Sequence, residues 1–313
     1  MAIADAPPTE SDALSAGPER LVEGTLADRL RHLELFSRWK VEGMLHGPNR
    51  SPLIGFNSDF RQHRAYFPGD SLKHFDWRVY ARTGRQVVRQ YEETTNVRVH
   101  VVVDASGSMK YAGEGRSKWD FAVRNAAVLL YVAFLRRDAF SLSGFATARE
   151  RHIGFGTGHG HLLRCFRSLL SAGAEGATDF DAGMGGALGG SLRHKGLTVV
   201  LSDCMDDPEN IGKKIARVRS RGGDAVLFQV MDPSERSFDF NLITRFHDLE
   251  GPEILVVDPA LMRSAYQRTF DDHVEGLRAA CRRHGFDHHV LSVRDDYAEP
   301  LVAYLRWRME RFG

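Results

Sequence analysis

Three apolar segments, each separated from the next by stretches with helical spacing, constrain the fold of this 313-residue chain more than any other feature. They are VRVHVVVD (97–104), GLTVVLSD (196–203) and DAVLFQVMD (224–232). Such runs of β-branched and apolar residues are typical of buried strands. Strands that alternate with helices are joined by right-handed crossovers. The sequence therefore predicts an α/β fold with a doubly wound, mainly parallel sheet.

The chain divides into three predicted parts. Residues 1–18 are rich in Pro, Ala, Ser and acids, and we expect a disordered tail there. Residues 19–95 begin with a helical pattern, and we expect this N-terminal extension of helical and irregular structure to pack on the sheet domain. Residues 96–313 contain the predicted strands and helices of that domain. The leucines and phenylalanine of the first helix are Leu26, Leu30, Leu33 and Phe36.

Composition limits the classes of function. The formal net charge is +1, which excludes an overall basic surface of the kind that binds nucleic acid. Three scattered cysteines, Cys165, Cys204 and Cys281, form no C-x-x-C motif and fit a reducing compartment. The N-terminus has no secretory signal pattern, and the longest apolar run, Ala126–Leu135, is too short to span a bilayer. We therefore expect a cytoplasmic protein without a membrane span.

Oxygen-bearing side chains follow two of the predicted strands. Asp104, Ser106 and Ser108 form a D-x-S-x-S loop after the first strand, and Asp203 ends the second. Ligands of open α/β sheets bind beyond the carboxyl ends of the strands, so these side chains meet if the two strands are neighbours. Thr178, just before a predicted helix, is a fifth oxygen donor. Hard oxygen ligands indicate a divalent cation, with Mg²⁺ favoured and Mn²⁺ or Ca²⁺ possible. The alternative is a polar turn in which serine caps a helix.

This five-residue set resembles the metal-ion-dependent adhesion site of von Willebrand factor A domains. The matching residues are Asp104, Ser106, Ser108, Thr178 and Asp203. The resemblance implies that these side chains bind the cation, some through water, and that an acidic residue of a protein partner completes its coordination. Because only two of the five are carboxylates, the ion would accept one more.

The segment before this domain resembles the signature of the bacterial domain-of-unknown-function 58 family. Four motifs match it, namely Pro68-Gly69-Asp70, Asp76-Trp77, Ala81-Arg82-Thr83 and Val88-Arg89-Gln90-Tyr91-Glu92. Members are often encoded beside MoxR-type AAA+ ATPases, so the resemblance implies such an ATPase as partner. Many members also carry N-terminal membrane spans, a property that we do not extend to this sequence.

The arginines of the signature segment allow two interpretations. Arg78, Arg82, Arg85 and Arg89 could bind a phosphate, a carboxylate or nucleic acid. They could instead pair with neighbouring acids, among them Asp70, Asp76, Glu92 and Glu93, and fix the segment to the sheet domain, with Trp77 and Tyr80 as buried anchors. We favour the structural interpretation because acids are interleaved with the arginines, and we expect no nucleic-acid partner.

The leading hypothesis is a non-enzymatic, cation-dependent interaction protein that acts as an adaptor or co-chaperone of the ATPase. The alternative is a metal-dependent phosphohydrolase with Asp104 as nucleophile. Haloacid-dehalogenase-type sites place a second Asp two residues further on, where this chain has Ser106. No His or Lys base is evident near Asp104 in the sequence.

Overall fold

The structure is a computed structural model, and it describes a defined subset of the chain. The described residues are 25–46, 62–67, 75–90, 98–113, 115–145, 151–174, 176, 196–219, 223–240, 242–297, 301 and 304. The predicted 1–18 tail, the turn with Asp70, Thr178 and the helix expected after it lie outside these residues, as does the side chain of Arg89.

The described elements follow the predicted alternation of strands and helices. The helices are α1 (Leu26–His46), α2 (Trp77–Thr83), α3 (Lys118–Leu135), α4 (His159–Ser171), α5 (Pro208–Arg219), α6 (Pro233–Ser237) and α7 (Pro259–His284), with a short 3-10 helix at Gly107–Lys110. The strands are β1 (Gln62–Ala65), β2 (Val87–Gln90), β3 (Arg98–Asp104), β4 (Ala139–Phe145), β5 (Arg151–Gly156), β6 (Gly196–Ser202), β7 (Asp224–Met231), β8 (Thr244–His247), β9 (Ile254–Val257) and β10 (Asp287–Ser292).

Six strands form one sheet in the order β10-β7-β6-β3-β4-β5. All neighbours are parallel except β4 and β5, which are antiparallel. The chain runs from β3 outward to β5 and then returns to β6 on the other side of β3, so the strand order reverses between β3 and β6. The predicted α/β fold with a doubly wound, mainly parallel sheet is confirmed. In such sheets the reversal point is where ligands bind.

Helices cover both faces of this sheet. On one face lies α3, a mostly apolar helix that is buried from Phe121 to Ala133, with Arg124 and Asn125 included. A helix of this kind is stable only inside a core, and α1 and α4 pack against it from outside. On the other face, Ile211 and Ile215 of α5 and Leu277 of α7 pack against Val102 and other sheet residues. The carboxyl edge of the sheet therefore lies between two helical layers.

Local capping explains where the helices begin and end. Ser117 caps α3 by accepting a hydrogen bond from the backbone N–H of Asp120. Asp258 caps α7 ahead of Pro259, and Gly285 ends that helix with a left-handed φ of 74°. Leu33 and Phe36 of α1 are buried as their spacing predicts, whereas Leu26 is exposed. No helix in the described ranges has the length and apolarity needed to cross a membrane.

The apolar run EILVVD, residues 253–258, does not join the main sheet. Its residues Ile254–Val257 form β9, which pairs antiparallel with β8 in a separate two-stranded hairpin. Phe246 of β8 stacks on Phe238 after α6, with ring centroids 5.5 Å apart. The hairpin is therefore attached through an aromatic cluster and not through strand pairing with the sheet.

The signature segment forms α2 and β2, but its predicted anchors are not buried. Asp76 caps α2 by accepting the N–H groups of Arg78 and Val79, and Gly84 ends the helix. Trp77 is 61% exposed and Tyr80 41% exposed, so the expectation of buried anchors was wrong. Their rings pack on Phe75 and on each other.

The arginines of this segment are also on the surface. Arg78, Arg82 and Arg85 are exposed, and none of the ion pairs given for the described residues includes them. The backbone of Arg89 lies in β2, opposite His63 of β1. Three of the acids expected to pair with these arginines, Asp70, Glu92 and Glu93, lie outside the described residues, so the expected pairing stays a prediction.

Candidate functional site

Asp104 lies at the carboxyl end of β3, where the strand order reverses. Its side chain is fully buried. Oδ1 accepts the backbone N–H of Ser106 at 2.9 Å, and Oδ2 accepts the hydroxyl of Ser202 at 2.6 Å. Ser202 is the last residue of β6, which pairs directly with β3. The predicted condition for a shared site, that the two strands are neighbours, is met.

The D-x-S-x-S loop turns immediately after Asp104. Ser106 precedes the 3-10 helix, but its side chain makes no capping hydrogen bond. Its Oγ lies 3.0 Å from the Oγ of Ser108, so the two hydroxyls form one polar pair. The backbone N–H of Gly107 donates to the carbonyl of Gly176 at 2.7 Å, which ties the loop to the segment two residues before Thr178. The alternative in which Ser106 acts through its side chain as a helix cap is excluded.

Asp203 follows β6 and is buried beside the same loop. Its Oδ2 accepts a hydrogen bond from Nζ of Lys118 at 2.8 Å. Its Oδ1 is buried and has no hydrogen-bond partner among the residues that the structure describes. The next residue, Cys204, has a left-handed φ of 59°, and its N–H donates to the Ser202 hydroxyl. Backbone strain of this kind in a non-glycine residue costs about 1–3 kcal/mol and clusters at functional sites.

Lys118 is a buried member of the site that the sequence analysis missed. It is the first residue of α3 and is 1% exposed. Besides Asp203, its ammonium donates to Oε1 of Glu235 at 2.6 Å. The sequence analysis considered a lysine base only beside Asp104, whereas Lys118 is paired with Asp203 and Glu235. The only local signal is a lysine in the first turn of a mostly apolar helix, and it does not identify the partner.

Uncompensated negative charge dominates the electrostatics of this edge. Burial raises the pKa of Asp104, and the nearby charge of Asp203 raises it further, while hydrogen bonds from Ser202 and Ser106 act in the opposite direction. Burial lowers the pKa of Lys118, but Asp203 and Glu235 outweigh this effect and the pKa is raised. Burial likewise raises the pKa of Glu235 against the effect of Lys118. The two aspartates therefore share an environment that favours an added cation.

The loop between β8 and β9 covers the D-x-S-x-S loop. Oε1 of Glu250 accepts the backbone N–H of Ser108 at 3.4 Å. Gly107 has no side chain where the carbonyl oxygen of Leu249 approaches, and a Cβ there would lie 2.1 Å from that oxygen. A cavity of about 460 Å³ opens between the loops. Its lining residues are Ser108, Tyr111, Lys118, Met205, Asp206, Glu235, His247, Asp248, Leu249 and Glu250.

The structure brings together four of the five predicted ligands. Asp104, Ser106, Ser108 and Asp203 lie at one edge of the sheet, and Thr178 is outside the described residues. The signature residues lie on different elements, Asp76, Trp77 and Arg82 at α2 and Arg89 on β2.

The donor chemistry fits a hard divalent cation. The described residues contain no group of three or more His, Cys, Asp or Glu side chains arranged around a metal position. The predicted set has only two such residues, Asp104 and Asp203, and its other oxygens are hydroxyls. The unpartnered Oδ1 of Asp203 and the paired hydroxyls of Ser106 and Ser108 are donors of the kind that Mg²⁺ and Ca²⁺ prefer.

The sheet and this edge define a doubly wound α/β protein whose candidate site lies at the reversal point of the strand order. The family described as "Protein of unknown function DUF58" matches residues 62–276, more than half of the chain, and the protein belongs to that family. The resemblance of the signature segment is thereby confirmed at the level of the family.

The curated relatives are similar over most of their length. The uncharacterized proteins Rv1480 of Mycobacterium tuberculosis and Mb1516 of Mycobacterium bovis are each 29% identical over 279 residues. The match covers 87% of this chain and 85% of each relative.

Similar solved structures include BatB of Bacteroides thetaiotaomicron and the VWA domain of SpRpn10. The first has a TM-score of 0.44 and 12% identity, covering 69% of this chain and 98% of the other. The second has a TM-score of 0.41 and 10% identity, covering 67% and 95%. Both scores are below 0.5, so the fold assignment depends on the strand order of the sheet itself.

Proposed function

We propose that the protein is a cation-dependent protein-interaction module. In this proposal Asp104, Ser106, Ser108, Thr178 and Asp203 bind Mg²⁺, or Mn²⁺ or Ca²⁺, at the edge between β3 and β6. The bound cation supplies a Lewis-acidic position that an acidic side chain of a partner can occupy. The site is then of the metal-ion-dependent adhesion type known from von Willebrand factor A domains.

The observation that supports this proposal best is the unpartnered Oδ1 of Asp203. A buried carboxylate oxygen without a hydrogen bond costs free energy unless another group compensates it. Lys118 compensates only Oδ2, and it is shared with Glu235. A cation between Asp104 and Asp203 would satisfy Oδ1 and remove the repulsion between the two carboxylates.

The charges leave a binding position open to a partner. Lys118 and Glu235 neutralise one another, so the two aspartates alone would balance a divalent cation. Hydroxyl ligands add no charge, and such a cation retains water that a carboxylate can replace. We therefore propose an acidic residue of a MoxR-type AAA+ ATPase as the partner group, with this protein as its adaptor or co-chaperone. Because such ATPases use ATP, the proposal locates the complex in the cytoplasm.

Calorimetric titration tests the cation. Purified protein is titrated with Mg²⁺, Mn²⁺ and Ca²⁺, alongside the variant Asp104→Asn and the control Asp224→Asn, which alters an exposed aspartate at the start of β7. We expect binding by the wild type and the control but not by Asp104→Asn. Equal binding by all three proteins, or by none, would overturn the cation site.

Co-purification tests the partner. The ATPase from the same genome is captured on immobilised protein with Mg²⁺, with chelator, and with Asp203→Asn in place of the wild type. We expect retention only in the first condition. Retention that chelator and substitution both leave unchanged would remove the cation from the mechanism.

We also propose that the protein is not an enzyme. In the phosphohydrolase alternative Asp104 would attack phosphorus, but this side chain is fully buried and both of its oxygens accept hydrogen bonds. Lys118 is directed to Asp203 and Glu235. A screen of phosphate esters with Mg²⁺ tests this point, and turnover that Asp104→Asn abolishes would favour the enzyme.

Anion binding through the arginines remains a second candidate, because Arg78, Arg82 and Arg85 are exposed. Binding of nucleic acid through them would weaken steeply with salt. We expect no retention of DNA or RNA at low salt, and retention that Arg82→Gln reduces would favour the second candidate.

A further inference from the structure

Helix α2 presents an uncovered surface with two large aromatic side chains. None of its seven residues is buried, although short helices in proteins are stabilised mainly by the packing of one face. Trp77 and Tyr80 are both exposed, and their rings lie side by side with centroids 6.4 Å apart. The described part of the molecule therefore leaves the aromatic side of this helix open to another surface.

Three arginines lie beside these rings. Arg78 and Arg82 are four residues apart and share one face of α2, and Arg85 follows the glycine that ends the helix. All three are exposed, and no ion pair among the described residues includes them. The one acid in residues 75–85, Asp76, is buried and caps the helix. The α2 surface is defined by five side chains, Trp77, Arg78, Tyr80, Arg82 and Arg85.

The β8–β9 hairpin presents a second uncovered surface, which is apolar. Ile254, Leu255 and Val256 of β9 are each more than half exposed. Thr244 lies opposite Val257 in the hairpin, so the residues that precede β8 lie at the end where α7 begins. Four further apolar side chains are exposed at that end, Leu242, Ile243, Leu261 and Met262. Exposed apolar side chains grouped in this way mark an interaction site on a soluble protein.

Acidic side chains accompany these apolar residues. Residues 242–262 contain four acids, Asp248, Glu250, Glu253 and Asp258, and a single arginine, Arg245. Four negative charges and one positive charge give this segment a net charge of −3. The Glu253 side chain is exposed and forms no ion pair with the described residues. The hairpin surface, residues 242–262, is therefore apolar and negatively charged.

The α2 surface and the hairpin surface are complementary. A guanidinium group can donate two N–H groups to one carboxylate, and aromatic rings bury a large area when they cover aliphatic side chains. Both surfaces are exposed in the same molecule, so they do not cover each other within it. A second copy of the chain, by contrast, can bring one surface to the other.

We propose that the α2 surface of one molecule binds the hairpin surface of a second copy of the chain. Because the two surfaces differ, the contact is heterologous, and association continues from copy to copy unless a ring closes. The contact does not require the proposed cation. It does place a neighbouring copy beside the cation site, since the hairpin loop covers the D-x-S-x-S loop.

Sedimentation of the full chain in chelator tests self-association. We expect the average mass to rise with protein concentration and to fall at high salt, because salt screens exposed charges. Arg82→Glu/Arg85→Glu, the α2 variant, should weaken association at least about tenfold, because like charges would then face each other. Arg31→Glu/Arg282→Glu reverses two exposed arginines elsewhere, on α1 and α7, and should associate like the wild type.

A second variant removes the hairpin surface without adding charge. Glu253→Gln/Leu255→Ser, the hairpin variant, should also be monomeric where the wild type associates. Its matched control, Asp272→Asn/Leu35→Ser, removes an exposed acid and an exposed leucine on α7 and α1 and should associate like the wild type.

Mixing the two variants tests the heterologous arrangement. The α2 variant keeps its hairpin surface, and the hairpin variant keeps its α2 surface. We therefore expect an equimolar mixture to form a dimer of the two variants that does not grow further.

Cross-linking locates the contact in a molecule with unchanged charge. Isotope-labelled protein with Tyr80→p-benzoylphenylalanine is mixed with unlabelled wild type and irradiated. We expect cross-links from position 80 of the labelled molecule to residues 242–262 of the unlabelled one. This result decides the proposal if circular dichroism shows that either double variant is unfolded.

Several outcomes would overturn the proposal. A wild type that is monomeric at every concentration has no such contact. Association that the folded α2 variant retains indicates a different interface, such as one between two hairpins. A mixture of folded variants that forms no dimer, or cross-links that avoid residues 242–262, excludes the heterologous contact. Because each measurement is made in chelator, none of these results decides whether the cation binds.

Discussion

Nζ of Lys118 lies 2.8 Å from Oδ2 of Asp203, and both side chains are almost completely buried. The same ammonium lies 2.6 Å from Glu235, so one lysine connects α3, the end of β6 and α6. Removing one partner of a buried ion pair leaves an uncompensated charge, which is more costly than the pair itself is stabilising. The lysine therefore fixes three elements around the candidate site.

Lys118→Met should destabilise the fold strongly. Both Asp203 and Glu235 would lose their buried counter-charge, and we expect the free energy of unfolding to fall by about 3–5 kcal/mol. Urea unfolding followed by circular dichroism measures the change. Lys213→Met, at an exposed position on α5, is the matched control and should change little. If Lys118→Met were as stable as the control, the buried triad would not contribute as described.

Asp104→Asn should separate stability from cation binding. The substitution removes one of two buried like charges and keeps a side-chain acceptor for the N–H of Ser106. In chelator we expect the variant to be at least as stable as the wild type. With Mg²⁺ in hundredfold excess over its dissociation constant, the wild type should gain about 2.7 kcal/mol and the variant nothing. Thermal unfolding with and without Mg²⁺ measures both effects, and an equal Mg²⁺ gain in the two proteins would contradict the site.

Strand and helix periodicity made most of the sheet predictable. β3, β6 and β7 are apolar runs recognisable locally, and the rule for strand ends then brings Asp104 to Asp203. The ends of α7 follow from Asp258 and Gly285 without any tertiary information.

Elements whose position depends on distant contacts were not predictable. The run Ile254–Val257 has the composition of a core strand. Its composition does not show that it pairs with β8 in a separate hairpin and not with a strand of the main sheet. β5, RHIGFG, has two glycines and no apolar run, so nothing in its sequence marks an antiparallel edge strand. Lys118 and Glu250 reach the site across 85 and 142 residues, beyond any local pattern.

His100 should make the protein sensitive to acid. It is buried in β3 with Nδ1 against the hydroxyl of Ser141, and burial lowers its pKa from 6.5 to about 3, with a small further effect from His152. The unfolded chain therefore binds a proton below pH 6.5 that the folded chain excludes, so stability is lost as pH falls from 6.5 towards 3. We expect the unfolded chain to bind one more proton at this residue than the folded chain. The free energy of unfolding should therefore fall by about 1.4 kcal/mol for each pH unit between pH 6 and 4.

Urea unfolding at several pH values measures that dependence. Gln cannot be protonated at position 100. In His100→Gln the free energy of unfolding should therefore depend on pH less steeply than in the wild type, by the equivalent of one bound proton. Burial also lowers the pKa of His288, to about 4, so a residual slope is expected. A slope in His100→Gln equal to that of the wild type would show that His100 does not exclude the proton.

Gly107→Ala should loosen the β8–β9 loop from the site. The added Cβ would lie 2.1 Å from the carbonyl oxygen of Leu249, which forces the loop to move. Overpacking of this kind costs about 1–3 kcal/mol, and we expect faster hydrogen exchange across residues 244–257. Gly154→Ala in β5 is the matched control, because its Cβ would meet no atom within 4 Å. Unchanged exchange in Gly107→Ala would show that the loop does not rest on the D-x-S-x-S turn in solution.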